Sequence, residues 1–468
     1  MNISKKNILI LSGVLVGLLL IWLGLSFYSV GRVANELNLL VSQPDPKSSL
    51  RFKNLQHQTG FLSSKGDVLV SLVDKYNDEN NTDANAVWMQ IKYDVSHVIL
   101  PTSLARFEWR LQPQPEDKAK FEEIFPKDFA LTGHGSVSPT GSYSSTLFLP
   151  AFEISQSGEL LNVAATQGYI KMSDKHFQFD WATDKLNYRG AGQAVQIDVF
   201  NIHIDMSDTL KGIGSSSVSM QKISTSSATL EGLKIAADSA VAQNKLDVRL
   251  TQSLQRVSFM NQTLSNLEAE WVVGGLHDQS AEKLIQLMDL SQGFKNMTAE
   301  EDKSMREALK VLLINGWKVG LSKLNAQADG GAVQGQLLLE LQADAGGQID
   351  LEKNLKLNGE IKVSGQLLTP DQQNMLMKLG MAVKTAEGLQ ANVSMTQGKL
   401  KFNGKENEAV NLQAELRKEQ SRLEAFLSGS PQHSQNSSTS MPEIEDEVVS
   451  NQAPTPAAPA EPTEKAAE

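Results

Sequence analysis

The chain has 468 residues, 40% hydrophobic and 21% charged, with no cysteine and a formal net charge of −11. That length is a soft prior for two to four domains and allows a large buried core. Lacking cysteine, the chain has no thiolate nucleophile, thiolate metal centre or disulfide framework, and its acidic balance argues against nucleic acid as a partner, since that affinity comes mainly from Lys and Arg.

Residues 8–28 read ILILSGVLVGLLLIWLGLSFY, 21 residues without a formal charge. As a helix they would be about 30 Å long, enough to span a bilayer. Lys5 and Lys6 precede the segment and Arg32 follows it, so the positive-inside rule places residues 1–7 in the cytoplasm and the rest outside. A cleaved leader would show a shorter apolar run and small residues at the cleavage site. Here the run is long and ends in the bulky pair Phe27-Tyr28, so the expectation is an uncleaved single-pass anchor in a bacterial inner membrane with a periplasmic body.

From residue 29 to 427 the dominant hydrophobic period is two. Met89-x-Ile91-x-Tyr93-x-Val95, Ala105-x-Phe107-x-Trp109-x-Leu111, Phe177-x-Phe179-x-Trp181 and Val195-x-Ile197-x-Val199 each put apolar side chains on one face, as half-buried strands do. At Val199-Phe200 the phase shifts, and Phe200-x-Ile202-x-Ile204-x-Met206 continues on the other parity, which requires a bulge. Further strands are expected at Leu246–Leu250, Ala269–Val273, Val333–Leu341 and Leu355–Val363, with turn signals at Asp329-Gly330-Gly331, Gly346-Gly347 and Asn358-Gly359.

Helical spacing is concentrated at about 278–316. Leu284, Leu287 and Met288 share one side of a first helix. Thr298 and Glu301 form a capping-box signature for a second, which carries Met305, Leu309, Leu312 and Leu313 and stops at Gly316. A short helix is expected after Pro370. Residues 428–468 hold six of the fifteen prolines, no aromatic residue, and seven acidic residues against one lysine. Such a tail cannot bury enough apolar surface to offset its ordering entropy and is expected to be disordered. The expected fold class is therefore α+β, predominantly antiparallel β, with a single transmembrane helix, a few inserted helices and a disordered tail.

Three short motifs carry a resemblance. His57-Gln-Thr-Gly60-Phe61-Leu62-Ser63-Ser64 resembles the Arg-Gly-Leu-Phe-Ser-Ser-like box of the YdgA-like family of bacterial membrane proteins of unknown function. Leu131-Thr-Gly-His134-Gly135-Ser136-Val137 is similar to that family's His-Gly-Pro segment, with Ser136 in place of proline, and Gln397–Lys405 is similar to its terminal Gly-x-Leu-x-x-Asn-Gly strand. The resemblance spans most of residues 10–410 and implies an inner-membrane anchor and a periplasmic β-rich domain. It brings no established chemistry.

Catalytic signatures are sparse. None of the seven histidines lies within five residues of another, so no local ligand pair exists, and there is no G-x-S-x-G elbow, Walker loop or G-x-G-x-x-G. Ser219-x-x-Lys222 matches an acyl-enzyme spacing but sits in a strand-like, serine-rich stretch where that chemistry finds no helix start. The expectation is a non-enzyme without cofactor or metal. Gly60, Phe61, Ser63, Ser64, His134 and Gly135 remain as motif candidates without an assigned role; flanking glycines would let a backbone or partner approach His134 closely.

The strands have more apolar face than the readable helices can cover, so the excess must be buried by another sheet, a second copy of the chain, or an apolar ligand. The expected function is an envelope binding or scaffold module that holds a partner protein, envelope polymer or lipid; binding of lipid or another apolar ligand in a β-sheet groove is the first alternative, and an envelope hydrolase without a local motif is the second. The expected partners are the membrane, envelope proteins or lipid, and a second subunit.

Overall fold

The computed structural model describes residues 50–429 apart from 61, 73–87, 98–102, 124, 128, 157, 191, 210, 261, 291–296 and 343–345. The apolar segment 8–28, Phe61 and residues 430–468 lie outside the described residues. Among the described residues no helix is long and apolar enough to cross a membrane.

The alternating stretches form strands, and all 22 described strands join in one sheet. The first six are β1 (Leu50–Thr59), β2 (Ser63–Leu72), β3 (Trp88–Ser96), β4 (Ala105–Pro113), β5 (Leu131–Val137) and β6 (Tyr143–Leu149), each antiparallel to the next. Strands β7 (Phe152–Gln156) and β8 (Glu159–Val163) form a hairpin, and β9 (Thr166–Met172) returns along β6. Both β8 and β9 then pair with β10 (Phe177–Gly190).

From there the strands lengthen: β11 (Gln193–Asp208), β12 (Ile213–Thr225), β13 (Ala228–Ala242), β14 (Lys245–Phe259), β15 (Gln262–His277), β16 (Trp317–Ala328), β17 (Gly331–Leu341) and β18 (Leu355–Gly365), each again antiparallel to its successor. β20 (Gly388–Thr396) pairs with β18 and with the two-residue β19 (Val383–Lys384), and β21 (Lys399–Phe402) and β22 (Lys405–Asn411) complete the meander. Short turns enforce this order. Gln243 and Asn244 both have positive φ, as a two-residue hairpin with the strands' own twist demands.

The expected turn at Asn358-Gly359 is not one. Gly359 lies in the middle of β18 opposite Leu337, and a Cβ there would meet both Leu337 and Val393 side chains at 2.7 Å. The glycine makes room for its neighbours within the sheet rather than ending a strand.

Among the described residues six helices accompany the sheet: α1 (Lys118–Glu122), α2 (Asp278–Leu290), α3 (Ala299–Asn315), α4 (Leu351–Asn354), α5 (Pro370–Lys378) and α6 (Gln413–Ser428). Thr298 and Glu301 cap α3 reciprocally, Thr369 and Gln372 do the same for α5, and Gly316 ends α3 with φ 75°. Helix α6 was not expected; its polar faces give little hydrophobic period, and it is held by contacts such as Arg417 to Glu352 at 2.6 Å. Helices α2 and α3 pack together on the ends of β14 and β15, where Leu287 is nearly sealed from solvent, and α6 packs on α3 and α4. A smaller core of Tyr93, Val95 and Ala105, with Leu55, Phe107 and Trp109 against it, lies under β1–β5.

The phase shift at Val199 is one point of a longer feature. Val199 has φ 51° within β11, a conformation that a β-branched residue rarely adopts. Residues 184, 199, 221, 232, 255 and 266 face one another across β10–β15, and at this row the register is interrupted on every pair while continuing unchanged on either side. On the alternate strands β11, β13 and β15 the row residue is Val199, Gly232 or Asn266, each with φ between 51° and 67°. A left-handed residue in an extended strand resets which way the next side chain points. Apolar residues accordingly change parity at the row: Trp181 to Leu186, Ile197 to Phe200, Met220 to Ile223, Leu230 to Leu233, Leu254 to Val257 and Leu264 to Leu267. The result keeps one face apolar on both sides of the interruption.

Candidate functional site

The register makes that face continuous. Ala237, Leu250, Trp271, Leu321, Leu337, Gly359, Val393 and Phe402 stand opposite one another in a single row from β13 to β21. Towards the N-terminal side Tyr93 stands opposite Trp109, and Val95 opposite Phe107. The reverse face is polar and laced with cross-strand ion pairs, among them Lys323 to Glu268 at 2.7 Å and Arg249 to Glu270 at 3.5 Å. His176 to Asp205 at 2.7 Å and His203 to Asp180 at 2.6 Å also lie there. Among the described residues no three such side chains gather as a metal site.

Much of the apolar face is open. Ile235, Leu264, Trp271, Val273, Val319, Leu337 and Ile361 all lie on it, with 37% to 48% of each residue exposed. Side chains of this size each represent roughly 1.5–3 kcal/mol of unrealised transfer free energy when left in water. A closed sandwich core, the plainest expectation for so much apolar strand, is therefore not formed over β13–β18.

The two ends of the strands differ. At the end where α2, α3 and α6 gather, Leu246, Leu341 and Met395 on the apolar face are buried. At the opposite end the C-terminal half is bare: Phe259 and Met260 at the β14–β15 turn, and Met375, Leu379, Met381 and Val383 around α5, are all exposed, Met260 to 82%. On the N-terminal half, Phe125 stacks on Phe121 and on Phe129, and Phe152 meets Phe125 tilted and Phe129 edge-on, with ring centroids 4.3–6.0 Å apart.

The motif residues expected from sequence fall in two separate places. Gly60 donates its N–H to the Ser63 carbonyl at 2.7 Å, which closes the β1–β2 turn, and Ser63 is exposed while Ser64 is buried. Ser64 Oγ lies 2.5 Å from His97 Nε2, a residue with no exposed surface, and Nδ1 of His57 is 2.9 Å from the Tyr93 hydroxyl. Burial lowers the pKa of His57, and it lowers that of His97 with a further push from His57. The Tyr93 hydroxyl is pushed up to about 12 by burial and then by the Asp67 carboxylate. A serine and histidine at this distance resemble a nucleophile and base, but a sealed imidazole offers no approach to a substrate, so the pair acts as a staple at the corner of β2 and β3.

His134 and Gly135 lie in β5, away from that corner. His134 is exposed on the polar face, with its Nε2 2.8 Å from Thr146 Oγ1. The glycines beside it serve the other face. A Cβ on Gly133 would come within 2.4 Å of the Trp109 indole, and one on Gly135 within 2.6 Å of the Phe107 ring. They let aromatic rings lie flat across the sheet instead of opening an approach to His134. The excess apolar face expected from the alternating strands is present, and its extent follows from the parity switches of β10 to β15, which the pairing register aligns in one row.

A family model described as "Bacterial protein of unknown function (DUF945)" matches residues 4–408. No curated protein and no solved structure matches the chain.

Proposed function

The chain belongs to DUF945, a bacterial family of unknown function, and we propose that it is an envelope binding module whose apolar sheet face holds the acyl chains of a lipid or a similar apolar ligand. In this reading residues 8–28 tether it to the inner membrane and the body works in the periplasm. The observation that carries the ligand reading is the row Leu250–Trp271–Leu321–Leu337, each residue opposite the next on a single-sheet scaffold, with Trp271 and Leu337 exposed and Leu250 and Leu321 half-buried. Large contiguous apolar patches on soluble surfaces mark binding sites, and a sheet that is polar on its reverse side gains nothing from exposing such a row unless something covers it.

The test uses the full chain in mild detergent and a fluorescent fatty acid. Saturable binding is expected, accompanied by a change in Trp271 emission. Ile361→Asp and Ile235→Asp should abolish binding while leaving the circular dichroism and the melting midpoint close to wild type, because both positions are solvent-accessible when the face is empty. Absence of saturable binding in the wild type, or unfolding of both variants, would sink the reading and make the face ordinary core.

A further inference from the structure

We propose that the bare end of the strands, carrying Phe259, Met260, Met375, Leu379, Met381 and Val383, docks on a phospholipid bilayer, so that acyl chains enter the apolar face from that end. The inference rests on the ligand reading above and adds its direction. At the opposite end α2 and α3 pack on β14 and β15, α4 packs on β17 and β20, and Leu246, Leu341 and Met395 are buried, so among the described residues the bare end is the more open one for a ligand sliding along the face. The exposed apolar side chains at the bare end come from two separate places in the sequence, the β14–β15 turn and the α5 region, yet they meet at the same end of one sheet.

The position of the remaining chain selects a bilayer over another occupant. Leu50 opens β1 opposite Leu72, and following the antiparallel register from β1 to β18 puts Leu50 at the bare end and not at the helix-covered one. Only 21 residues, 29–49, separate Leu50 from the uncharged apolar stretch 8–28. A bilayer holding residues 8–28 would therefore receive the chain from the end at which β1 begins, the same strand end as Phe259 and Met260. Around α5 the charges balance, Lys378 and Lys384 against Asp371 and Glu387, so docking is apolar and should not depend on anionic lipid or respond strongly to salt.

The absence of native cysteine makes the test direct. Full-length Met260→Cys, Leu379→Cys and Gln286→Cys chains, the last on α2, are labelled with an environment-sensitive fluorophore and reconstituted in phosphatidylcholine liposomes containing nitroxide-labelled lipid. Labels at 260 and 379 should shift to the blue and be quenched at least twofold by the nitroxide lipid, unchanged from 50 to 500 mM salt, while the label at 286 stays in water. Unquenched labels at 260 and 379, or quenching at 286 alone, would overturn the proposal. So would a blue shift at 260 that appears without lipid and grows with protein concentration, since a second copy would then cover that end. Fatty-acid binding measured on the same preparations separates the two readings. Binding without quenching leaves the ligand face standing and removes only the docking, whereas loss of binding removes the face itself.

Discussion

Ser64 and His97 form a buried hydrogen-bonded pair, with 2.5 Å between Oγ and Nε2, that joins the start of β2 to the end of β3. Removing the serine hydroxyl takes this partner from Nε2 of His97 in a dry site, which costs about 1–3 kcal/mol. Ser64→Ala should lower the unfolding free energy measured in urea by that amount, while the exposed neighbour Ser63→Ala should change it by less than about 0.5 kcal/mol. Equal effects of the two would show that the pair contributes nothing specific.

The same corner predicts acid sensitivity. His57 and His97 have lowered folded pKa values, so the unfolded chain takes up their protons first. Stability from this source is complete above the ordinary histidine value of about 6.5 and is lost as pH falls from there towards the folded values. The melting midpoint should decline between pH 7 and pH 5, with a smaller decline in the double variant His57→Gln with His97→Gln. At the alkaline extreme, Tyr93 with its folded value about 12 reverses the roles: the unfolded phenol ionises from about pH 10, so stability falls as pH rises through that window.

Gly232 sits in the row where the register is interrupted, with φ 67° and a Cβ position 2.5 Å from the Gln255 side chain. Gly232→Val adds a β-branched residue to a left-handed position and should cost about 1–3 kcal/mol. Gly232→Asn should be milder, since asparagine tolerates that region. Thermal melts of the two variants check the ranking.

Gly133 gives the Trp109 ring its place on the sheet. Gly133→Ala should displace the indole and cost about 1–3 kcal/mol by overpacking. The companion change Trp109→Leu should recover part of that loss, a coupling that a double-mutant cycle would detect.

Leu341 and Ile361 lie on one face, and their environments set opposite outcomes for the same substitution. Leu341, 2% exposed beneath the helices, should not tolerate aspartate, because a buried unpaired charge costs several kcal/mol. Ile361 should tolerate it. Proteolytic sensitivity of the two variants distinguishes them.

The sequence by itself determined the strands, because a side-chain period of two is written locally in runs such as Phe177-x-Phe179-x-Trp181. It determined the capping of α3 for the same reason, since Thr298 and Glu301 are three residues apart. It also marked the parity switch at Val199, and the corresponding switches at Asp184, Gln221, Gly232, Gln255 and Asn266 are present in the same letters. That those six positions form one row was decided only by the register between strands. The role of Gly133 and Gly135 was likewise out of reach: glycine beside histidine suggests an open approach, and only the pairing with β4 shows that the space is filled by Trp109 and Phe107. Whether an apolar face ends as core or as open surface depends on what packs against it at long range. Local periodicity carries no record of that, so only the tertiary structure decided that the helices cover one end of the face and leave Ile235, Trp271, Leu337 and Ile361 open to solvent.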